Sequence, residues 1–140
     1  MTAAPTPPRV GLVLVSHSVE VAYAVGRMAA RLVGLEVRVA AAGGSDDGGF
    51  GTSATKIEAA LRAADQGAGV LVIGDLGSAI LTTLAILADL EEEPGSPVNA
   101  QIADAPFVEG TVAAAMTAVT GGTLDEVRAA AEEARRIPKL

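Results

Sequence analysis

One histidine stands in this sequence, His17, with a serine on each side of it. An imidazole becomes a nucleophile when a carboxylate accepts a hydrogen bond from one ring nitrogen, because the tautomer is then fixed and the other nitrogen keeps its lone pair. Asp75, in Gly74-Asp75-Leu76-Gly77-Ser78, is the carboxylate expected to do this. Bland readings stand beside these. A lone histidine is more often packed than reactive, Asp75 could cap the helix after it, and Ser18 could be a helix N-cap. Position tips the balance toward chemistry, because both residues follow short apolar runs that read as strands.

Those runs are Gly11 to Val15 and Val70 to Ile73, each compatible with a strand buried on both faces. After the first, Val21, Val25, Met28 and Leu32 recur at helical spacing and Gly34 is a plausible stop. His17 therefore sits on a strand-to-helix turn, where an open α/β sheet places ligands and where free helix amides favour anions. Glu36 to Ala42 alternates and reads as an outer strand. A glycine-rich loop, Gly43 to Ser53, leads to a helix from a Thr55/Glu58 capping box to about Gln66, with Ile57, Ala60, Leu61 and Ala64 inward. A third helix runs from about Ser78 to Leu90 on Ile80, Leu81, Leu84, Leu87 and Ala88, with Glu91-Glu92-Glu93 at or beyond its frayed end. Val98 to Ile102 is the fourth strand. Val108, Val112, Met116 and Val119 give the fourth helix its apolar face, and Gly121-Gly122 ends it. A Thr123/Glu126 capping box opens a fifth helix to about Arg136, carrying a Glu132/Arg136 pair.

The alternation predicts an α/β fold with an open, mainly parallel sheet of four to five strands, helices on both faces and strand order 2-1-3-4. In that order the crevice opens between strands one and three, and His17 and Asp75 face each other across it. Residues 1–8 are expected to be a flexible leader, and 9–140 one domain.

At 140 residues the chain is long enough to bury one substantial core, and with only two Phe and one Tyr that core must be aliphatic. A net charge of -7 with no basic patch argues against nucleic acid. The absence of cysteine excludes disulfides and thiolate metal sites and is compatible with the cytosol. No apolar run approaches the roughly 18 residues of a membrane span, and the N-terminal stretch lacks a signal core, so a cytoplasmic protein off the membrane is expected. The Asp46-Asp47 pair reads as solvated, and no metal site is assigned. Neither a P-loop nor a nucleophile elbow is present.

Four blocks in register carry a resemblance: Val13-Leu14-Val15-Ser16-His17-Ser18, Gly51-Thr52, Val72-Ile73-Gly74-Asp75-Leu76-Gly77-Ser78-Ala79, and Ala105-Pro106-Phe107-Val108-Glu109-Gly110-Thr111. From about Arg9 to Thr123 the chain resembles the phosphotransfer subunits of phosphoenolpyruvate-dependent dihydroxyacetone kinases, in the mannose-type IIA group of the bacterial phosphotransferase system. The resemblance implies that His17 carries a phosphoryl group. The group would come from the histidine-phosphocarrier protein, ultimately from phosphoenolpyruvate, and pass to ADP in the nucleotide-binding subunit of the kinase. Asp75 would orient His17, with Ser18, Gly77 and Ser78 beside the phosphoryl group. No cofactor would be held by this chain, since ADP or ATP and Mg belong to the partner subunit. A homodimer is implied as well.

Three other readings compete. A mannose-type IIA component of sugar uptake shares the fold. A tetrapyrrole metal chelatase shares the strand ending in Val-Ser-His-Ser but would be expected to use a second metal-binding side chain such as histidine. A non-catalytic scaffold or regulatory domain would leave His17 incidental.

Overall fold

The computed structural model describes residues 6–95 and 98–140. Four strands, β1 (Gly11–Ser16), β2 (Val39–Gly43), β3 (Val70–Gly74) and β4 (Ala100–Ile102), pair in parallel in the order β2-β1-β3-β4. Among the described residues, one helix follows each strand and a fifth follows the fourth helix: α1 (Val19–Val33), α2 (Ala54–Ala64), α3 (Gly77–Glu92), α4 (Phe107–Val119) and α5 (Leu124–Glu133). This is the expected open α/β architecture, with four strands among the described residues.

Strand alternation sorts the core into two layers. Leu12, Leu14, Leu71 and Ile73 point to one face and meet Val25 and Ala29 of α1, Ala114, Ala115 and Ala118 of α4, and Val127 and Ala131 of α5. Val13, Val15, Val70 and Val72 point to the other and meet Ile57, Ala60 and Leu61 of α2 and Ala79, Ile86 and Leu90 of α3. β1 and β3 are thus buried on both sides, and their carboxyl ends are fixed next to each other by the register Val15 to Gly74.

Several local expectations are corrected. Gly34, at φ 75°, ends α1, but one 3-10 turn (Gly34–Glu36) precedes the second strand, which begins at Val39 rather than Glu36. Helix α2 starts two residues early, because buried Ser53, not Thr55, is its N-cap and accepts from Lys56 N at 3.1 Å. Helix α3 takes in Glu91 and Glu92, and Glu93 pairs with Arg62 at 3.9 Å. β4 is shorter than expected, starting at Ala100. The Thr123/Glu126 box forms on α5, but Glu132 pairs with Arg128 and accepts from Asp104 N, while Arg136 pairs with Glu133.

The apolar faces differ more. On α1, α3 and α4 the buried residues are mostly small: Ala22, Val25 and Ala29; Ala79, Thr83, Ile86 and Leu90; Gly110, Thr111, Ala114, Ala115 and Ala118. Val21, Met28, Leu32, Leu81, Leu84, Val108 and Met116 are exposed instead. Close helix-on-sheet and helix-on-helix packing selects the small face; a Cβ on Gly110 would stand 3.5 Å from Ala131 O of α5 and 2.9 Å from Ala105 Cβ in the loop before α4.

Of the expected leader, residues 1–5 lie outside the described residues, and Thr6, Pro7 and Pro8 are exposed without regular structure. Among the described residues, no helix is long and apolar enough to cross a membrane.

Candidate active site

β1 ends at Ser16 and β3 at Gly74, so the next residue of each strand, His17 and Asp75, emerges at the same edge of the sheet. Asp75 Oδ1 lies 3.0 Å from His17 Nδ1. Its Oδ2 accepts from His17 N at 3.0 Å and from Ser16 Oγ at 2.8 Å, and Leu76 N donates to Oδ1 at 2.7 Å. Burial works to raise the Asp75 pKa, but the hydrogen bonds from His17 backbone and ring, Ser16 and Leu76 outweigh it and hold the group below its ordinary 3.8. An ionised Asp75 accepts only, so Nδ1–H donates to it, and in the neutral tautomer this bond selects, the lone pair is on Nε2.

At Nε2 stands Ser78, its Oγ 2.6 Å away. Ser78 is the second residue of α3, whose first amides have no acceptor within the helix. Gly77, the first, adds space: a Cβ there would meet nothing within 4 Å. A carboxylate on one ring nitrogen and a hydroxyl at the start of a helix on the other bracket the imidazole. An anion attached to Nε2 would meet positive dipole on the α3 side.

Four of the five residues expected at the site, His17, Asp75, Gly77 and Ser78, are brought together. Ser18 is adjacent in sequence, but its hydroxyl accepts from Val21 N at 3.3 Å and donates to Glu20, so it serves α1 as N-cap. Two residues escaped the sequence reading. Ser16 bridges strand to site by bonding both Asp75 and Ser18 N. Phe50 lies against His17 with ring centroids 5.3 Å apart; an aromatic within a glycine-rich loop has no core to join, and that was its signal.

The crevice also differs from expectation. His17 is only 8% exposed, covered rather than open. A cleft of about 440 Å³ lies on the other side of Asp75, between the ends of β3 and β4, lined by Leu76, Gly77, Ile80, Leu84 and Ile102. Among the described residues no group of three or more His, Cys, Asp or Glu could hold a metal ion.

Residues 11–128 match the family described as EIIA-man, PTS system fructose IIA component. The chain belongs to this IIA family. Within it, the chain is 37% identical over 121 residues to the PEP-dependent dihydroxyacetone kinase, phosphoryl donor subunit DhaM, of Escherichia coli (strain K12), which covers 84% of this chain and 25% of that protein. It is 30% identical over 118 residues to the PEP-dependent dihydroxyacetone kinase 2, phosphoryl donor subunit DhaM, of Listeria innocua, covering 84% of this chain and 93% of that one. The chain therefore spans about a quarter of the length of the E. coli relative. Among solved structures, a protein of unknown function, EF1359, superposes with a TM-score of 0.77 at 31% identity, covering 89% of this chain and 94% of that one. A sigma-54 interaction domain protein from Enterococcus faecalis, TM-score 0.59 at 15% identity over 94% of this chain and 93% of that one, shares the IIA fold.

Proposed function

We propose that this chain is a cytoplasmic phosphohistidine carrier, in which His17 takes a phosphoryl group from the histidine-phosphocarrier protein and passes it to ADP in the nucleotide-binding subunit of dihydroxyacetone kinase. One observation carries the reading: Asp75 holds Nδ1 at 3.0 Å, which turns the opposite nitrogen, Nε2, toward Ser78 and the start of α3. Relatives named as phosphoryl donor subunits of PEP-dependent dihydroxyacetone kinases support a kinase subunit as the acceptor.

In the first step the Nε2 lone pair attacks phosphorus, the bond from phosphorus to the donor imidazole breaks, and that imidazole leaves with the electron pair. As the new bond forms, the His17 ring becomes positive and the Asp75 carboxylate compensates. Ser78 Oγ turns from Nε2 to a phosphoryl oxygen, joined by the amides of Gly77 and Ser78. In the second step an ADP oxygen attacks phosphorus, the N–P bond breaks and the pair returns to Nε2. The protonated ring is the better leaving group, so one carboxylate assists both directions. Positioning and charge compensation do the work, and the chain itself holds no cofactor, ADP and Mg residing in the partner.

A homodimer fits the same reading. The outer face of α3 turns Leu81 and Leu84 to solvent, β4 is an edge strand, and the cleft lined by Leu84 and Ile102 joins the two.

The test is incubation with phosphoenolpyruvate, enzyme I and the phosphocarrier protein, read by intact mass and peptide mapping. One acid-labile phosphoryl group on His17, absent in His17→Ala, is the expected result; none, with the partners active on another acceptor, rejects it. The family description as a fructose IIA component favours a second reading, sugar uptake. Discharge by the ADP-loaded kinase subunit separates the two.

A further inference from the structure

Phe50 is 79% exposed, yet its ring lies against a histidine that is 8% exposed. Phe50 thus closes one side of a histidine that Asp75, Ser78 and the Gly51 backbone also enclose, while most of its own ring stays in solvent. An aromatic side chain gains little free energy from such a place and makes the surface stickier, so its effect falls on what it covers.

The loop that presents Phe50 is well tied. Gly51 N donates to His17 O at 3.0 Å, immediately after Phe50. Lys56 Nζ donates to Gly43 O and Ser45 O at 3.0 and 2.9 Å, Ser45 N bonds Gly49 O at 2.9 Å, and Ser53 Oγ bonds Asp46. Asp75 and Ser78 hold the two ring nitrogens of His17, and the phenyl ring, tilted by 33°, covers the imidazole.

We propose that Phe50 is a water shield for the phosphorylated histidine. The inference rests on the carrier reading and adds to it a cause for the lifetime of the charged state. The reaction opposed is hydrolysis: a water oxygen attacks phosphorus, the N–P bond breaks, its electron pair returns to Nε2, and inorganic phosphate leaves with the proton balance met by solvent. A carrier must hold the same electrophile that a hydrolase destroys, and an apolar ring beside the N–P bond keeps water from gathering there. The accepting partner brings its own nucleophile and displaces water as it docks, so the shield slows hydrolysis without being needed for transfer chemistry.

The experiment charges the protein with phosphoramidate, a small donor that needs no docking, and follows loss of the phosphoryl group from His17 at neutral pH by intact mass. Wild type, Phe50→Ala, Phe50→Leu and Phe50→Trp are compared, with His17→Ala fixing the site and circular dichroism the fold. A phosphoryl half-life several-fold shorter in Phe50→Ala, intermediate in Phe50→Leu and preserved in Phe50→Trp is expected. Equal half-lives overturn the proposal, including the case where Phe50→Ala slows transfer to a partner and thereby marks Phe50 as a docking residue. A wild-type protein that takes no phosphoryl group on His17 rejects the carrier reading and this inference together.

Discussion

Both oxygens of Asp75 are engaged by donors, from the His17 ring and backbone, Ser16 and Leu76. In Asp75→Asn one oxygen becomes an amide that can only donate, so at least one of these donors faces another donor. Hydrogen bonds to charged groups contribute about 1.5–3 kcal/mol, and a loss of about that size is expected in urea unfolding at neutral pH. Phosphoryl transfer should fall at least tenfold, since ring positioning and compensation of its charge are lost together, and quenched-flow labelling of His17 reads it. Ser78→Ala should be milder in stability and should weaken transfer, because the helix amides remain. The acid limb follows from the lowered Asp75 pKa. A folded-state pKa below the unfolded one means that Asp75 stabilises fully above about 3.8 and that this contribution disappears as pH falls through the lower folded value. Unfolding free energy plotted against pH should therefore drop less steeply on the acid side in Asp75→Asn than in wild type. The His17 and Asp75 pairing was legible because each residue terminates an apolar run. The Ser16 bond was not, since a strand-end hydroxyl has no pattern that names its partner.

At the scale of elements, two kinds of residue carry the geometry. Ser53 caps α2 and also holds Asp46, tying helix to loop. Ser53→Ala should cost about 1 kcal/mol in thermal or urea unfolding. Gly11 lies where β1 meets α2: an added Cβ would stand 2.0 Å from Ala64 O, backbone against backbone. Gly11→Ala should destabilise by roughly 1–3 kcal/mol or more, as overpacking does, and lower the unfolding midpoint accordingly. Helix existence and order were readable from period and turn residues. The buried faces of α3 and α4 were not, because these helices are apolar around much of their circumference and size, not hydrophobicity, decides which side approaches the sheet; on α1 the small Ala22 and Ala29 flank Val25 in the core while Val21, Met28 and Leu32 stay outside. Val108 and Met116 look like core in sequence, while Ala114 and Ala118 are the core.

For the whole molecule, strand order was accessible because β1 and β3 are built on runs of large aliphatic residues, whereas Glu36 and Arg38 lead into the small-residue β2 and Gln101 interrupts β4, which sets the centre of the sheet. The large aliphatic residues left outside are the counterpart of the misread faces. If the proposed homodimer forms through this face, Leu84→Glu leaves the fold intact by circular dichroism and shifts sedimentation equilibrium from dimer to monomer, while a wild type that sediments as a monomer rejects the dimer. The parallel pairing of β1 with β3 has another consequence, in time rather than space. Asp75 follows its ring partner by 58 residues, so a ribosome releases His17 long before the carboxylate exists. Such non-local pairings form late and slowly compared with local helices. A nascent or truncated chain therefore carries an ordinary, undirected imidazole, and charging with phosphoramidate becomes a stopwatch for the completion of the sheet.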